Sequence, residues 1–426
     1  MQNIIKIGLA GLGVVGKSVY QIISGNTELL KLKSKHQLKI VAVSAKTTKD
    51  FISSEVKFYE NPLDMAHNPE IDVIIELMGG QDIAKQLIIS ALQNQKKVIT
   101  ANKALLASCG YELAKIASQN NTALLYEAAV AGSVPVIKAY QQSFLASEIN
   151  KIYGILNGTC NFILSEMTNK KQDFLPSLKQ AQELGFAEAD PAFDIEGIDT
   201  AHKITILAAL ASGTAPNFSQ TYIEGITKIT ANDIRLANQL GYKIKLLATY
   251  QKYQNNEVLQ AVYPALISQQ HKISQVDGSY NCILTCGKYF DDSFFVGKGA
   301  GGNPTASAIV ADLLDIANGT YSKQALGYNP DIINQNQPKI ISINKRLGEY
   351  FILLRFDKSQ NNLAIENIFQ NSQIDCMQAT CIELSDQQVV CGIITNKQNE
   401  QTIIDALDLL DKSIIKESKF IRVETF

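Results

Sequence analysis

The 426-residue chain is 46% hydrophobic and 19% charged with a formal net charge of −2, a composition that can bury more than one core. So balanced a charge provides no basic field for nucleic acid or an anionic membrane surface, which leaves a small-molecule partner as the expectation, with no nucleic acid and no membrane. No apolar run reaches the roughly 20 residues of a membrane span, and the opening Met-Gln-Asn-Ile-Ile-Lys enters a strand without the marks of a signal peptide, which fits a cytoplasmic location.

Between residues 4 and 126, strand-like apolar runs at 5–9, 39–43, 73–76, 97–100 and 123–126 alternate with longer amphipathic stretches. This is the rhythm of βαβ units on a parallel sheet, and it predicts an α/β protein whose first domain, 1–130, is a Rossmann-type, doubly wound dinucleotide-binding fold. Helical periods dominate 133–215 and β-rich runs follow at 244–250 and 258–263, marking an α+β catalytic and dimerisation domain over 131–320. The stretch 304–318 reads as one long helix packing back on the first domain, and 321–348 as a polar linker. From 349 to 426 the order is strand 350–356, helix 363–370, strands 378–384 and 389–395, helix 402–410 and strand 420–423, the βαββαβ order of a ferredoxin-like fold. Seven cysteines include no CxxC pair and no zinc spacing, so free thiols are expected, with Cys160 as a packed one.

The first run ends in Gly11-Leu12-Gly13-Val14-Val15-Gly16 and passes at once into a helix-like stretch. Glycines also punctuate structural turns, but here strand, turn and helix stand where a dinucleotide site needs them. Gly11 permits the tight turn, Gly13 lets backbone approach a pyrophosphate, and Gly16 allows close helix–strand packing. The second strand lacks the acid expected beside the free ribose 2′-OH of NAD and ends Val43-Ser44-Ala45-Lys46. Ser44 and Lys46 suit a 2′-phosphate and favour NADP over NAD; the alternative is a solvated Lys46.

Six charged groups, Glu188, Asp190, Asp194, Glu196, Asp199 and Lys203, fall within 16 residues. Asp199 and Lys203 share a helix face at i, i+4. Alone they would be an ordinary surface pair, but the helix continues through an apolar run at 204–210 and is expected to be buried. A lysine entering it needs a partner, supplied by Asp199 or, from the preceding loop, by Glu188 or Asp194, and such an amine suits proton transfer. Thr100-Ala101-Asn102-Lys103 follows a strand at its carboxyl end, where open α/β sheets bind ligands. The turn containing Asn157, Gly158 and Thr159 reads equally as structure or as site wall.

With these residues the chain resembles homoserine dehydrogenases, in the monofunctional form with a C-terminal ACT domain. The resemblance rests on GLGVVG, TANK, YEAAVAGSVP, GILNGT, LGFAEADPAFDIEGIDTAHK and GKGAGGNPTASA in this order and spans nearly the whole chain. It implies NAD(P)-linked interconversion of L-homoserine and L-aspartate 4-semialdehyde in threonine, methionine and isoleucine biosynthesis. Lys203 then exchanges the alcohol proton, with Lys103 as a second catalytic lysine. Glu188 and Asp199 hold homoserine, Asp194 supports the lysine, and Asn157, Gly158 and Thr159 line the substrate. Thr100, Lys103, Gly185 and Gly301 join the turn in holding the cofactor.

The resemblance also implies a monovalent cation, sodium, on Glu127 and the carbonyls of Val130, Gly132 and Val134, where the residues alone would equally allow a paired structural acid. It implies threonine as an effector at the ACT domain, while the β-rich second domain and the exposed sheet of an ACT-like domain point to self-association as a homodimer or homotetramer. Departures are Phe186, Cys160 and Phe162 in place of tyrosine, threonine and tyrosine, and an Asp357-to-Asn362 loop without the glycine of an amino-acid site, which points to a domain used for assembly alone. Two rival readings are a dehydrogenase of another small amino or hydroxy acid and a non-catalytic sensor; the intact lysine pair argues against the second.

Overall fold

The computed structural model describes residues 4–333, 337–360 and 374–426. The chain gathers into two compact units of three segments each: Met1–Ile152, His202–Gln220 and Cys282–Pro338 in the first, and Tyr153–Ala201, Thr221–Asn281 and Lys339–Phe426 in the second.

The apolar runs of the first unit become β1 (Ile4–Ala10), β2 (Gln37–Ser44), β3 (Lys57–Tyr59), β4 (Val73–Glu76), β5 (Lys97–Thr100) and β6 (Leu124–Leu125), in the sheet order β3-β2-β1-β4-β5-β6. All pairings are parallel. This is the doubly wound dinucleotide order, whose ligand crevice lies at the carboxyl ends of the strands. Both faces of β4 are buried, which is why it reads as an unbroken apolar run. The helix Gly302–Asn318 packs Ala306, Ile309 and Leu313 into the same core as Ile7, Leu9 and Val43. Ile309 and Leu313 are fully buried, a contribution of about 1.5–3 kcal/mol each.

Within the stretch read as helical from sequence, β7 (Ile149–Ile155) intervenes. Later strands are β8 (Tyr222–Ile223), β9 (Tyr242–Lys252), β10 (Glu257–Ser268), β11 (Tyr280–Gly287) and β12 (Asp291–Lys298). After residue 338 come β13 (Lys339–Ile340), β14 (Leu347–Asp357), β15 (Cys376–Glu383), β16 (Gln388–Thr395), β17 (Gln398–Asn399) and β18 (Ile415–Glu424).

In the second unit β9 and β10 form a long antiparallel pair. The other side of β10 is met in turn by three parallel strands: β13 at Glu257 and Val258, β8 at Ala261 and Val262, and β18 at Ala265, Leu266 and Ile267. Beyond β18 the order is β14-β16-β15, each strand antiparallel to its neighbour. Tyr350, Ile352, Leu354 and Phe356 alternate onto the face of β14 that shares a core with Ile403 and Ala406 of the helix Glu400–Asp408, the period-2 pattern of a half-buried strand. The helix expected at 363–370 lies outside the described residues.

One expectation fails. Cys381 and Cys391 face each other across β15 and β16 at a Cα separation of 4.1 Å and form a disulfide, while Cys109, Cys160, Cys282, Cys286 and Cys376 stay outside any disulfide. Strand register, which a spacing of ten residues does not reveal, brings the pair together. Among the described residues no helix is long and apolar enough to cross a membrane.

Candidate active site

At the end of β1, Gly11 turns the chain at φ +100°, and a Cβ there would overlap the Leu77 carbonyl. Its N–H donates to the Ser44 carbonyl at 2.8 Å, and Gly16 packs so closely under the Gly11 carbonyl that no Cβ fits. Gly13 is the opposite case. It is the N-cap of the helix Val14–Gly25 at φ −74°, and a Cβ would meet nothing within 4 Å. That helix has no side-chain cap and no acid in its first turn, so its N-terminal N–H groups and positive dipole end look onto open space. Open space in front of an uncapped helix start, with backbone donors facing it, fits a dinucleotide pyrophosphate.

The second glycine-rich loop arrives at the same turn. Gly301, at φ +119°, is the N-cap of Gly302–Asn318, and a Cβ on Gly302 would come within 2.7 Å of Ser18 Oγ and 3.1 Å of Val14 Cγ1. Leu12 is buried, Val15 half-buried and Val14 exposed. The Ser44 side chain is buried and Lys46 is exposed.

Along the carboxyl edge of the sheet, Thr100 Oγ1 donates to Glu76 Oε2 at 2.6 Å, and Glu76 Oε1 accepts from the Met78 N–H at 2.8 Å. Burial pushes the Glu76 carboxyl above its ordinary value. Thr100 Oγ1 also accepts from the Asn102 N–H. Asn102 in turn donates to the Gly80 carbonyl at 2.7 Å and caps the helix Lys103–Gln119 by accepting from the Leu105 N–H. This network fixes Lys103, half-buried, at the first position of its helix. Glu76 and Asn102 are not singled out by the sequence reading, although an acid closing an all-apolar strand was an available signal.

In the second unit Asn157 gathers the acids. Its Oδ1 accepts from the Cys160 N–H at 2.8 Å, capping the helix Gly158–Lys170, while Nδ2 donates to Asp194 Oδ1 at 2.7 Å and to Asp199 Oδ2 at 2.8 Å. An amide has two N–H donors, and here both serve carboxylates. A Cβ on Gly158 would come within 2.9 Å of the Ser279 carbonyl. Thr159 Oγ1 donates to the Phe186 carbonyl at 2.6 Å, fastening the loop that follows Gly185, itself at φ +76°. Buried Cys160 donates to the Asp194 carbonyl, the packed thiol expected. Asp199 and Lys203, 4% and 6% exposed, stand one turn apart on the helix Ile198–Ser212. Glu188 lies exposed on the preceding loop and takes no part in these Asn157 bonds.

Glu127 is buried, its oxygens accepting from the Ile137 and Lys138 N–H groups at 3.0 and 2.8 Å and its own N–H donating to Asp312 Oδ2. Burial and then the Asp312 charge push its carboxyl up to about 8, and burial pushes Asp312 up to about 7. The adjoining turn runs through Val130, with Ala131 and Gly132 left-handed at φ 56° and 49°, and the Val134 carbonyl accepts from the Val136 N–H. Among the described residues no group of three or more His, Cys, Asp or Glu side chains could hold a metal, so a cation here would rest on carbonyls and one acid.

Two family models cover most of the chain: that of the homoserine dehydrogenase NAD-binding domain matches residues 11–127, and that of homoserine dehydrogenase itself matches 135–314. A homoserine dehydrogenase of Neisseria gonorrhoeae is 37% identical, with 96% of this chain and 97% of that one covered. The chain belongs to the homoserine dehydrogenase family. A homoserine dehydrogenase of Helicobacter pylori is 35% identical over the whole of both chains. The crystal structure of a homoserine dehydrogenase from Thiobacillus denitrificans is similar with a TM-score of 0.91 at 35% identity, covering 100% of this chain and 99% of that one. As a homoserine dehydrogenase the chain is an oxidoreductase, with a Rossmann-type NAD-binding domain and a second, catalytic sheet domain.

Proposed function

We propose that the chain interconverts L-homoserine and L-aspartate 4-semialdehyde, with Lys203 exchanging the alcohol proton, Lys103 assisting at the same oxygen, and Glu188 and Asp199 holding the substrate ammonium. The observation that carries this reading is the Asn157 amide, which binds one oxygen each of Asp194 and Asp199 and so draws two carboxylates together beside the turn that leads to Lys203. One turn on, Lys203 sits in a helix buried from Ala201 to Ala211, shielded from bulk water, where an amine can pass a proton to and from an oxygen without competition from solvent. A bound nicotinamide supplies the hydride acceptor.

Gly11, Gly13, Gly16, Thr100, Gly185 and Gly301 would hold the cofactor. The absence of an acid at the end of β2, with Lys46 exposed just beyond Ser44, supports NADP over NAD. The excess of buried acid at Glu127 and Asp312, only partly offset by Lys138, supports a monovalent cation on Glu127 and the carbonyls of Val130, Gly132 and Val134. We read 1–130, 131–320 and 349–426 as the nucleotide, catalytic and ACT domains, joined by 321–348. The antiparallel order β18-β14-β16-β15 is that of a ferredoxin-like sheet and supports the last. Such a domain would serve assembly into a homodimer or homotetramer, while the Asp357-to-Asn362 loop argues against threonine binding.

Replacing Lys203 by alanine should lower kcat for homoserine by a factor on the order of a thousand or more, with NADPH affinity, read by fluorescence titration, unchanged. Near-normal turnover would remove Lys203 from its role. A preference for another small amino or hydroxy acid in the same assay would replace homoserine as substrate.

A further inference from the structure

Arg422, near the end of β18, is 2% exposed and has more anionic company than its charge requires. Its Nε and Nη2 donate to the two oxygens of buried Glu400 at 2.7 and 2.5 Å, its Nη1 donates to Glu224 Oε2 at 2.6 Å, and its Nη2 also reaches the Tyr222 hydroxyl at 3.2 Å. The Tyr222 hydroxyl in turn donates to Glu224 at 2.9 Å. One carboxylate, Glu400, already neutralises the guanidinium with bidentate geometry. The second acid therefore has a task other than charge balance.

Glu224 belongs to the short stretch that backs the segment between Asp194 and Asp199. Its N–H donates to the Val262 carbonyl at 2.8 Å. The next residue, Gly225, lies so close to the Ile195 carbonyl and the Glu196 backbone that a Cβ would overlap both, and the Ile226 N–H donates to the Ile195 carbonyl at 2.9 Å. Ile195 follows Asp194 directly. Gly197, at φ +84° with Val262 and Ile223 side chains 3.2 and 3.3 Å from where its Cβ would stand, turns the chain into the helix that carries Asp199. The segment between the two acids is thus gripped from behind by residues 224–226, while Asn157 grips Asp194 and Asp199 themselves. Residues 222–225 also border a cavity of about 740 Å³ that Arg422 and Glu400 line as well. Where a cavity stands in place of packed side chains, charge-assisted hydrogen bonds are the restraint that remains.

We propose that Glu224, anchored by Arg422 and Tyr222, is a positioning residue that sets the placement of Asp194 and Asp199 through Gly225 and Ile195, so that the C-terminal sheet tunes substrate affinity. The proposal rests on the reading of Asp199 as substrate-binding and of Asp194 as the support of Lys203.

The test is steady-state kinetics of the full chain with homoserine varied at saturating NADP, together with NADPH titration. In Glu224→Ala the homoserine KM should rise on the order of tenfold to a hundredfold while NADPH affinity stays within about twofold. Glu224→Gln keeps an oxygen for Arg422 Nη1 and should restore KM to within about threefold of the unaltered protein. An unchanged KM in Glu224→Ala overturns the proposal. Should Glu224→Ala not fold, Tyr222→Phe decides: a several-fold rise supports positioning and no rise overturns it. Asp199→Asn separates the two levels of inference. If it leaves the homoserine KM unchanged, the substrate reading falls and the relay with it; if it raises KM while Glu224→Ala does not, the relay alone falls.

Discussion

The cofactor turn makes a prediction in which binding and stability move independently. At Gly13 the backbone is at φ −74° and the space around a Cβ is empty to 4 Å, so Gly13→Ala introduces neither strain nor overlap. By narrowing the unfolded ensemble it should stabilise the chain by about 0.4–1 kcal/mol. For a domain of this size that is a rise in melting temperature of roughly 1–4 °C. The same methyl stands in the open space before the helix start, where a bound pyrophosphate would approach the backbone N–H groups. Losing two such charge-assisted bonds, at about 1.5–3 kcal/mol each, weakens NADPH binding by about a hundredfold or more.

Gly11→Ala is the internal contrast. A left-handed φ costs an L residue about 1–2 kcal/mol, and overlap with the Leu77 carbonyl adds the cost of moving backbone. Thermal melts with and without cofactor, with fluorescence titration of NADPH, read both effects. If Gly13→Ala bound NADPH with unaltered affinity, or melted several degrees lower, the cradle would not be where the cofactor's phosphates lie.

Asn157→Ala should remove a helix cap worth about 1 kcal/mol and leave two neighbouring carboxylates without their shared donor. The expected result is a stability loss of about 2–4 kcal/mol and a raised homoserine KM, read by denaturant melts and kinetics; a silent substitution would mean that the amide does not organise the acids. Asp277 gives the pH prediction. Burial would push its carboxyl up, but Lys245 and Lys243 hold it below the ordinary value, with Lys245 Nζ 2.7 Å away and itself buried. Because the folded-state value is lowered, the stabilisation is present at neutral pH and lost as pH falls below about 4. Asp277→Asn should therefore lower the melting temperature at pH 7 and flatten its decline below pH 4, and parallel acid titrations of the two proteins would contradict this.

How far the fold could be read depended on which force set each element. β4 and β5 are legible because burial on two faces writes itself as consecutive apolar residues, and the glycine turn because steric demands at Gly11 and Gly16 admit one residue type. β3 is three residues long, too short for any period to show, and β7 was lost because its apolar pattern lies between helices of similar composition. Lys203 in a buried helix followed from the apolar residues around it. The role of Asn157 stayed open because a capping asparagine in a turn looks the same whether or not its amide meets two acids 37 and 42 residues away. The Cys381–Cys391 disulfide and the Arg422 cluster depend on register and on contacts across some 200 residues of chain, which no local pattern records.

The three strands laid end to end along β10 bear on how the chain could be shortened. Two of them, β13 and β18, come from beyond residue 338, and Glu424 of β18 accepts from the buried Tyr263 hydroxyl. Cutting the chain at 338 would leave β8 alone on that side and bare the amides and carbonyls of Ala265, Leu266 and Ile267, a row of apolar residues with no charge among them. An uncovered strand of that kind is a template for pairing with other chains. A shortened protein would thus be prone to aggregate even with every residue of the proposed chemistry intact.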